Sequence, residues 1–128
     1  MKKKVSNAIL LASLDTMKGM LDNKNYSTKF NYAIGKNVII IEKELEAYNM
    51  SRNKLIEKYA KRDENDKFIV EDNQIELTSK EEFDKEIEEL LKIENEIEFY
   101  DIKLSTLFEN KNVSSRETIA IDYMLVED

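Results

Sequence analysis

Leu10, Leu14, Met17 and Leu21 recur at helical spacing along one face of a segment running from Val5 to Leu21, which predicts a first helix there. A polar connection, Asn23 to Ser27, follows. Ser27 or Thr28 is suited to cap the next element, because a short side-chain oxygen accepts from the unpaired N–H groups of a first helical turn. From Lys29 to Lys61 the seam positions Ile34, Val38, Ile41, Leu45, Tyr48, Arg52, Leu55 and Tyr59 are separated by alternating steps of four and three. That is a heptad pattern with one polar member, Arg52. Ile39 and Ile40 widen the apolar face in its first half.

Roughly 33 residues rising about 1.5 Å each would make a rod of about 50 Å. A compact domain of this length is only about 35–40 Å across. The rod is therefore expected to kink, to project, or to pair with another chain, which makes a homo-oligomer one expectation. Beyond a polar loop at Arg62–Lys67, Phe68-Ile69-Val70 and Gln74-Ile75-Glu76-Leu77 flank Glu71-Asp72-Asn73 and suit a short β-hairpin. Ser79 and Glu82 are spaced as a capping box, opening a helix whose apolar stripe is Phe83, Ile87, Leu90, Leu91 and Ile97. The alternation Ile102, Lys103, Leu104 within Phe99–Leu104 predicts a third strand. Ser114 and Glu117 open a last helix running through Ile119, Tyr123 and Val126. The fold class expected is α+β and predominantly helical: a long central helix packed with shorter helices, plus a small antiparallel hairpin or three-stranded sheet, in a single domain spanning residues 1–128.

Composition sharpens this picture. Among 128 residues there are no prolines and only two glycines, so helices joined by short polar connections are favoured over a loop-rich fold. Apolar residues make up 41%, enough for a core, while charged residues at 37% imply extensively solvated outer faces. The longest apolar runs fall well short of the roughly 18 residues that a membrane span requires. The run after Lys2-Lys3-Lys4 is broken by Ser6, Asn7, Ser13 and Asp15 and reads as mature helix rather than a signal peptide. The absence of cysteine fits a reducing compartment, and a cytoplasmic location in the cell is the expectation.

The net charge of −7 conceals an asymmetry. Residues 1–64 carry 13 Lys/Arg and 8 Asp/Glu, whereas residues 65–128 carry 7 and 19. An acidic C-terminal half repels phosphate, so no direct nucleic-acid binding is expected of it. Solubility alone accounts for such carboxylates, and so does an acidic surface that engages a basic groove on another protein.

Catalytic chemistry is poorly provisioned. The chain has neither histidine nor cysteine, which removes the side chains most used for acid–base, nucleophilic and transition-metal work near neutral pH. Glu81, Glu82, Glu86, Glu88, Glu89, Glu94, Glu96 and Glu98 could offer hard oxygen ligands, but Lys85 and Lys92 lie among them and a solvated helix face accounts for them better. Asp63, Asp66 and Asp72 lack the spacing and the glycine of an EF-hand loop. Gly35-Lys36 lacks the remainder of a phosphate loop, so Gly35 is assigned to close packing against the first helix or to a slight bend. No enzyme, cofactor or metal is expected. Glu82, Glu86 and Glu89 are read as one exposed face. With Arg52, Tyr48 and Tyr59 they are the candidate partner-binding residues, tyrosine being a type enriched at interfaces. Arg52, on an otherwise apolar seam, must pair with a carboxylate, let its head reach water, or face a partner.

Four segments, "KVSNAILLASLDTM", "KFNYAIGKNVIIIEKELEAYNMSRNKLIEKYAKRDE", "KFIVEDNQIEL" and "FDKEIEELLKIENEIEFYDIKL", resemble a family of short proteins encoded in phages and prophages of Gram-positive bacteria. The distinctive part is Tyr32–Asn37 followed by Glu44, Tyr48, Arg52 and Leu55–Ala60. The family has no assigned activity, so the resemblance carries over no site residues. It implies a viral accessory or assembly protein acting inside a bacterial host cell. The leading expectation is a non-catalytic protein that binds and inhibits a host protein or complex, in the manner of an anti-CRISPR. The alternatives are a virion-assembly or tail chaperone, and a sponge that holds a nucleotide signal between subunits through Arg52, Lys36 and Tyr59.

Overall fold

A computed structural model describes residues 2–128. In chain order its elements are β1 (Lys2–Ser6), α1 (Asn7–Met20), α2 (Thr28–Glu44), α3 (Glu46–Tyr59), β2 (Val70–Glu71), β3 (Gln74–Ile75), α4 (Lys80–Lys92), β4 (Glu94–Glu98), β5 (Ile102–Lys103), α5 (Leu104–Phe108), α6 (Ser115–Ile121), a 3-10 turn (Asp122–Met124) and β6 (Leu125–Val126). The chain divides into two compact units, one built from residues 2–45 and 94–128 and the other from residues 46–93.

The first unit holds the better-buried core. Leu10, Met17 and Met20 of α1, Phe30, Ile34 and Ile41 of α2, and Ile102, Ile121 and Met124 are all fully buried. Ser27 caps α2 by accepting from the Phe30 N–H, as its position implied. Ser114 and Glu117 close a full capping box at α6, each side chain accepting from the other residue's N–H.

The start of the chain departs from expectation. The helix read from Val5 starts at Asn7, capped by the Ser6 hydroxyl, and Val5 lies buried in β1. β1 runs antiparallel to β4, setting Lys2 opposite Glu98 and Lys4 opposite Glu96. Opposite charges across such a ladder stabilise it by about 0.2–1 kcal/mol per pair. The Asn95 amide reinforces the join by donating to the Val5 carbonyl (3.2 Å) and to Asn7 Oδ1 (2.8 Å).

Two further expectations are corrected. Ile97, placed on the stripe of the preceding helix, belongs to β4: residues 94–99 alternate, and Ile97 and Phe99 turn inward. No three-stranded sheet forms, because β5 pairs in parallel with β6 instead of joining the hairpin. The strands among the described residues make three separate two-stranded ladders.

The long central helix is also interrupted. Leu45 closes α2 with ψ of −3°, far from the −42° of a continuing helix, although its N–H still reaches the Ile41 carbonyl. The seam therefore serves two cores: Ile34, Val38, Ile41 and Leu45 are buried in the first unit, while Leu55 and Tyr59 are half-buried in the second. Ile39, expected to widen the apolar face, is 65% exposed. Gly35 is not needed for close packing, since a Cβ there would meet Leu21 Cδ2 at an ordinary 3.8 Å.

In the second unit α3 packs against α4, and the hairpin links them. Asp72 and Asn73 both have positive φ (51° and 64°), the signature of a type I′ turn, which fixes Glu71 opposite Gln74. The ladder extends through the Ile69 N–H to the Lys61 carbonyl and the Glu76 N–H to the Ile69 carbonyl. Arg62 lies over the Phe68 ring at 4.5 Å and donates to the Asp66 carbonyl.

Candidate functional site

The candidate residues on α4 are not one uniform face. Ser79 caps the helix by accepting from the Glu82 N–H, and one turn later the chain presents Glu82 to solvent. Glu86 is turned toward α3, where Lys58 Nζ lies 3.4 Å from its carboxylate. The Tyr59 hydroxyl and then the Lys58 ammonium hold the Glu86 carboxyl below its ordinary range. Lys58 also lies over the Tyr59 ring at 5.0 Å, and that ring meets Phe83 edge-on at 6.1 Å. Glu86 is thus a structural anchor between two helices as well as an acidic side chain.

Glu86 and Glu89 share an open groove of about 450 Å³ with Ser51, Lys54, Leu55, Leu90 and Ile93. Leu55, Leu90 and Ile93 supply its apolar surface, and Ile93 is 50% exposed. Phe83, Ile87, Leu90 and Leu91, the apolar stripe of α4, stay half-buried. The groove brings together two of the predicted residues, Glu86 and Glu89, with Tyr59 beside Glu86. Arg52 is exposed on α3, next in sequence to the groove residue Ser51, while Tyr48 is buried and offers little surface. Lys36 belongs to the other unit from Arg52 and Tyr59. It lies over the Tyr32 ring, which stacks edge-on against Tyr100. Ser51 and Lys54 were passed over by sequence reasoning, and so was the one apolar groove residue it did not name, Ile93. Its signal was an apolar position one turn beyond Glu89, at the point where the backbone turns extended.

The surrounding charge is strongly negative. Residues 46–93 carry 14 Asp/Glu and 9 Lys/Arg, a net of −5. Among the described residues no group of three or more acidic side chains converges closely enough to hold a metal ion. No helix of the described residues is long and apolar enough to cross a membrane.

Like charges also meet on the hairpin. Glu76 lies diagonally from Glu71 across the ladder, and its carboxylate raises the Glu71 carboxyl above its ordinary value of 4.5. A raised folded-state value means that the fold binds this proton more tightly than the unfolded chain does. The repulsion therefore weakens the hairpin at neutral pH and is relieved as pH falls through the folded-state value. Glu71→Gln is expected to slow exchange of the Ile69 and Glu76 amides at pH 7, and to lose that benefit below about pH 4.5. Amide hydrogen exchange at the two pH values checks this.

Comparison of the chain with protein families, with curated proteins and with solved structures finds no match.

Proposed function

We propose that this protein is a non-catalytic binding module whose groove between α3 and α4 receives a basic amphipathic helix of another protein. The observation that carries the reading is the incompletely covered apolar stripe of α4, walled by Glu86 and Glu89 in a unit of net charge −5. An amphipathic helix lays its apolar side along such a floor at spacings of three and four residues. Lysine or arginine at its margins would meet the carboxylates, which favours fast association and selects against acidic partners. In its specific form the module belongs to a phage and occupies a basic surface of a host defence complex. A chain without histidine or cysteine is suited to blocking such a surface rather than to chemical turnover.

The test uses a fluorescent leucine–lysine peptide with apolar residues at helical spacing, and a scrambled peptide of equal charge. The expected result is saturable binding of the first, at least about tenfold tighter than the second. Glu89→Lys combined with Glu82→Lys should weaken it a further tenfold, about 1.4 kcal/mol. Glu86 is left intact because it anchors Lys58 and Tyr59. Equal binding of the two peptides, or binding indifferent to Glu82 and Glu89, would discard the groove. Capture from phage-infected cells then separates the host-inhibitor form, which predicts a host complex, from virion assembly, which predicts phage structural proteins.

A further inference from the structure

The first unit carries a second apolar surface, independent of the groove on α4. Between α1 and α6 lies an open cleft of about 550 Å³, lined by Ile9, Ala12, Thr16, Ile119, Ala120 and Tyr123. Ile119 at its edge is 74% exposed, and Ile9 is 51% exposed. Few monomeric surfaces leave large aliphatic side chains standing beside an apolar depression without a partner to cover them. Below them, the Tyr123 hydroxyl is buried close to Ser13, and burial raises its phenol above the ordinary value.

The rim of the cleft carries charges of both signs. Arg116 and Asp122 both border the cleft and both are exposed. A rim of one sign would select a segment of the opposite charge. This one presents both, together with a protruding isoleucine and the depression that an isoleucine fills. A patch carrying its own knob, its own hole and both charges is self-complementary, which is the requirement of an isologous twofold interface. We infer that the face formed by α1 and α6 binds a second copy of this chain. The Ile119 of each protomer enters the cleft of its partner, and each Arg116 pairs with Asp122 across the twofold axis.

Sedimentation velocity and light scattering test this on the full chain. The native protein should move from 15.1 kDa toward twice that mass as concentration rises through the micromolar range. Ile119→Glu, on a side chain already in solvent, should leave the mass at that of one chain with an unchanged circular dichroism spectrum. Arg116→Asp sets two aspartates against each other at two symmetric places, and should raise the dimer dissociation constant by about tenfold or more. Adding Asp122→Arg to it restores opposite charges and should restore the dimer. A native protein that stays at one chain mass overturns the inference. So does a dimer that survives Ile119→Glu, or a charge exchange that fails to recover association. Peptide binding at the α4 groove should be the same in Ile119→Glu, so failure of one surface is not failure of the other.

Discussion

Asn37→Leu is expected to destabilise the first unit by about 3 kcal/mol, although it replaces a polar residue in a fully buried position with an apolar one of similar size. The Asn37 amide is paired twice with the backbone of one residue: its Nδ2 donates to the Tyr100 carbonyl at 2.9 Å, and its Oδ1 accepts from the Tyr100 N–H at 2.8 Å. Leucine would leave both backbone groups unpaired against the α2 surface, at about 1–3 kcal/mol each, with burial of the new methyl groups offsetting part of the loss. The segment after β4 would lose the tie that holds it to α2. Urea denaturation gives the size of the effect. Amide exchange gives its place, with the Tyr100 N–H losing protection first. Asn37→Asp provides the check on mechanism: ionised, it cannot donate to the Tyr100 carbonyl, whereas protonated it can. Its destabilisation should therefore shrink as pH falls, while that of leucine should not.

Phe30→Ala should be the most damaging single truncation, at about 3–5 kcal/mol. Phe30 is fully buried on α2 and meets Tyr26 edge-on at 5.0 Å between ring centres. Alanine removes a fully buried ring from beside Tyr26 and opens a cavity in the core of the first unit. Burial pushes the Tyr26 phenol above its ordinary value and the Glu117 carboxylate pushes it further, so the ring beside Phe30 stays neutral. Against a total stability of about 5–15 kcal/mol for a domain, such a loss is a large share. The expected readout is accelerated exchange throughout α1 and α2, with the amides of α4 nearly unaffected because they belong to the other unit. Uniform acceleration across both units would show that they unfold as one.

Particular residues show what was readable from sequence. Leu10, Met17, Phe30 and Ile34 are fully buried, in helices that periodicity located; the capping serines at positions 27 and 114 and the Asp72-Asn73 turn were equally readable, because each depends on neighbours within a few positions. β1 was not, since three consecutive lysines show no alternation and its partner is remote in sequence. The break at Leu45 left no mark either: no glycine or proline stands there, and the heptad phase runs through it unchanged. β4 was concealed because Ile97 falls seven residues after Leu90, in phase with the preceding helix; the competing alternation of Asn95, Ile97 and Phe99 was the better signal. At the candidate groove, Glu86 and Glu89 were legible as acidic positions on a helix. Their separation into an anchored residue and a free one was not, because it arises from where Lys58 and Tyr59 of α3 meet α4.

The pairing of β1 with β4 has a consequence for the order in which the molecule is made. The two strands are separated by about ninety residues, so at about 5–20 residues per second the first waits several seconds or more for the second. Throughout that interval an apolar α1 and an unpaired strand edge travel together, a combination that invites other nascent chains to add their own strands. Lys2, Lys3 and Lys4 place three positive charges along that edge, so any two waiting copies repel. When Glu96 and Glu98 emerge, the same lysines become their partners. One short basic strand thus serves first as a guard against the wrong pairing and later as half of the right one.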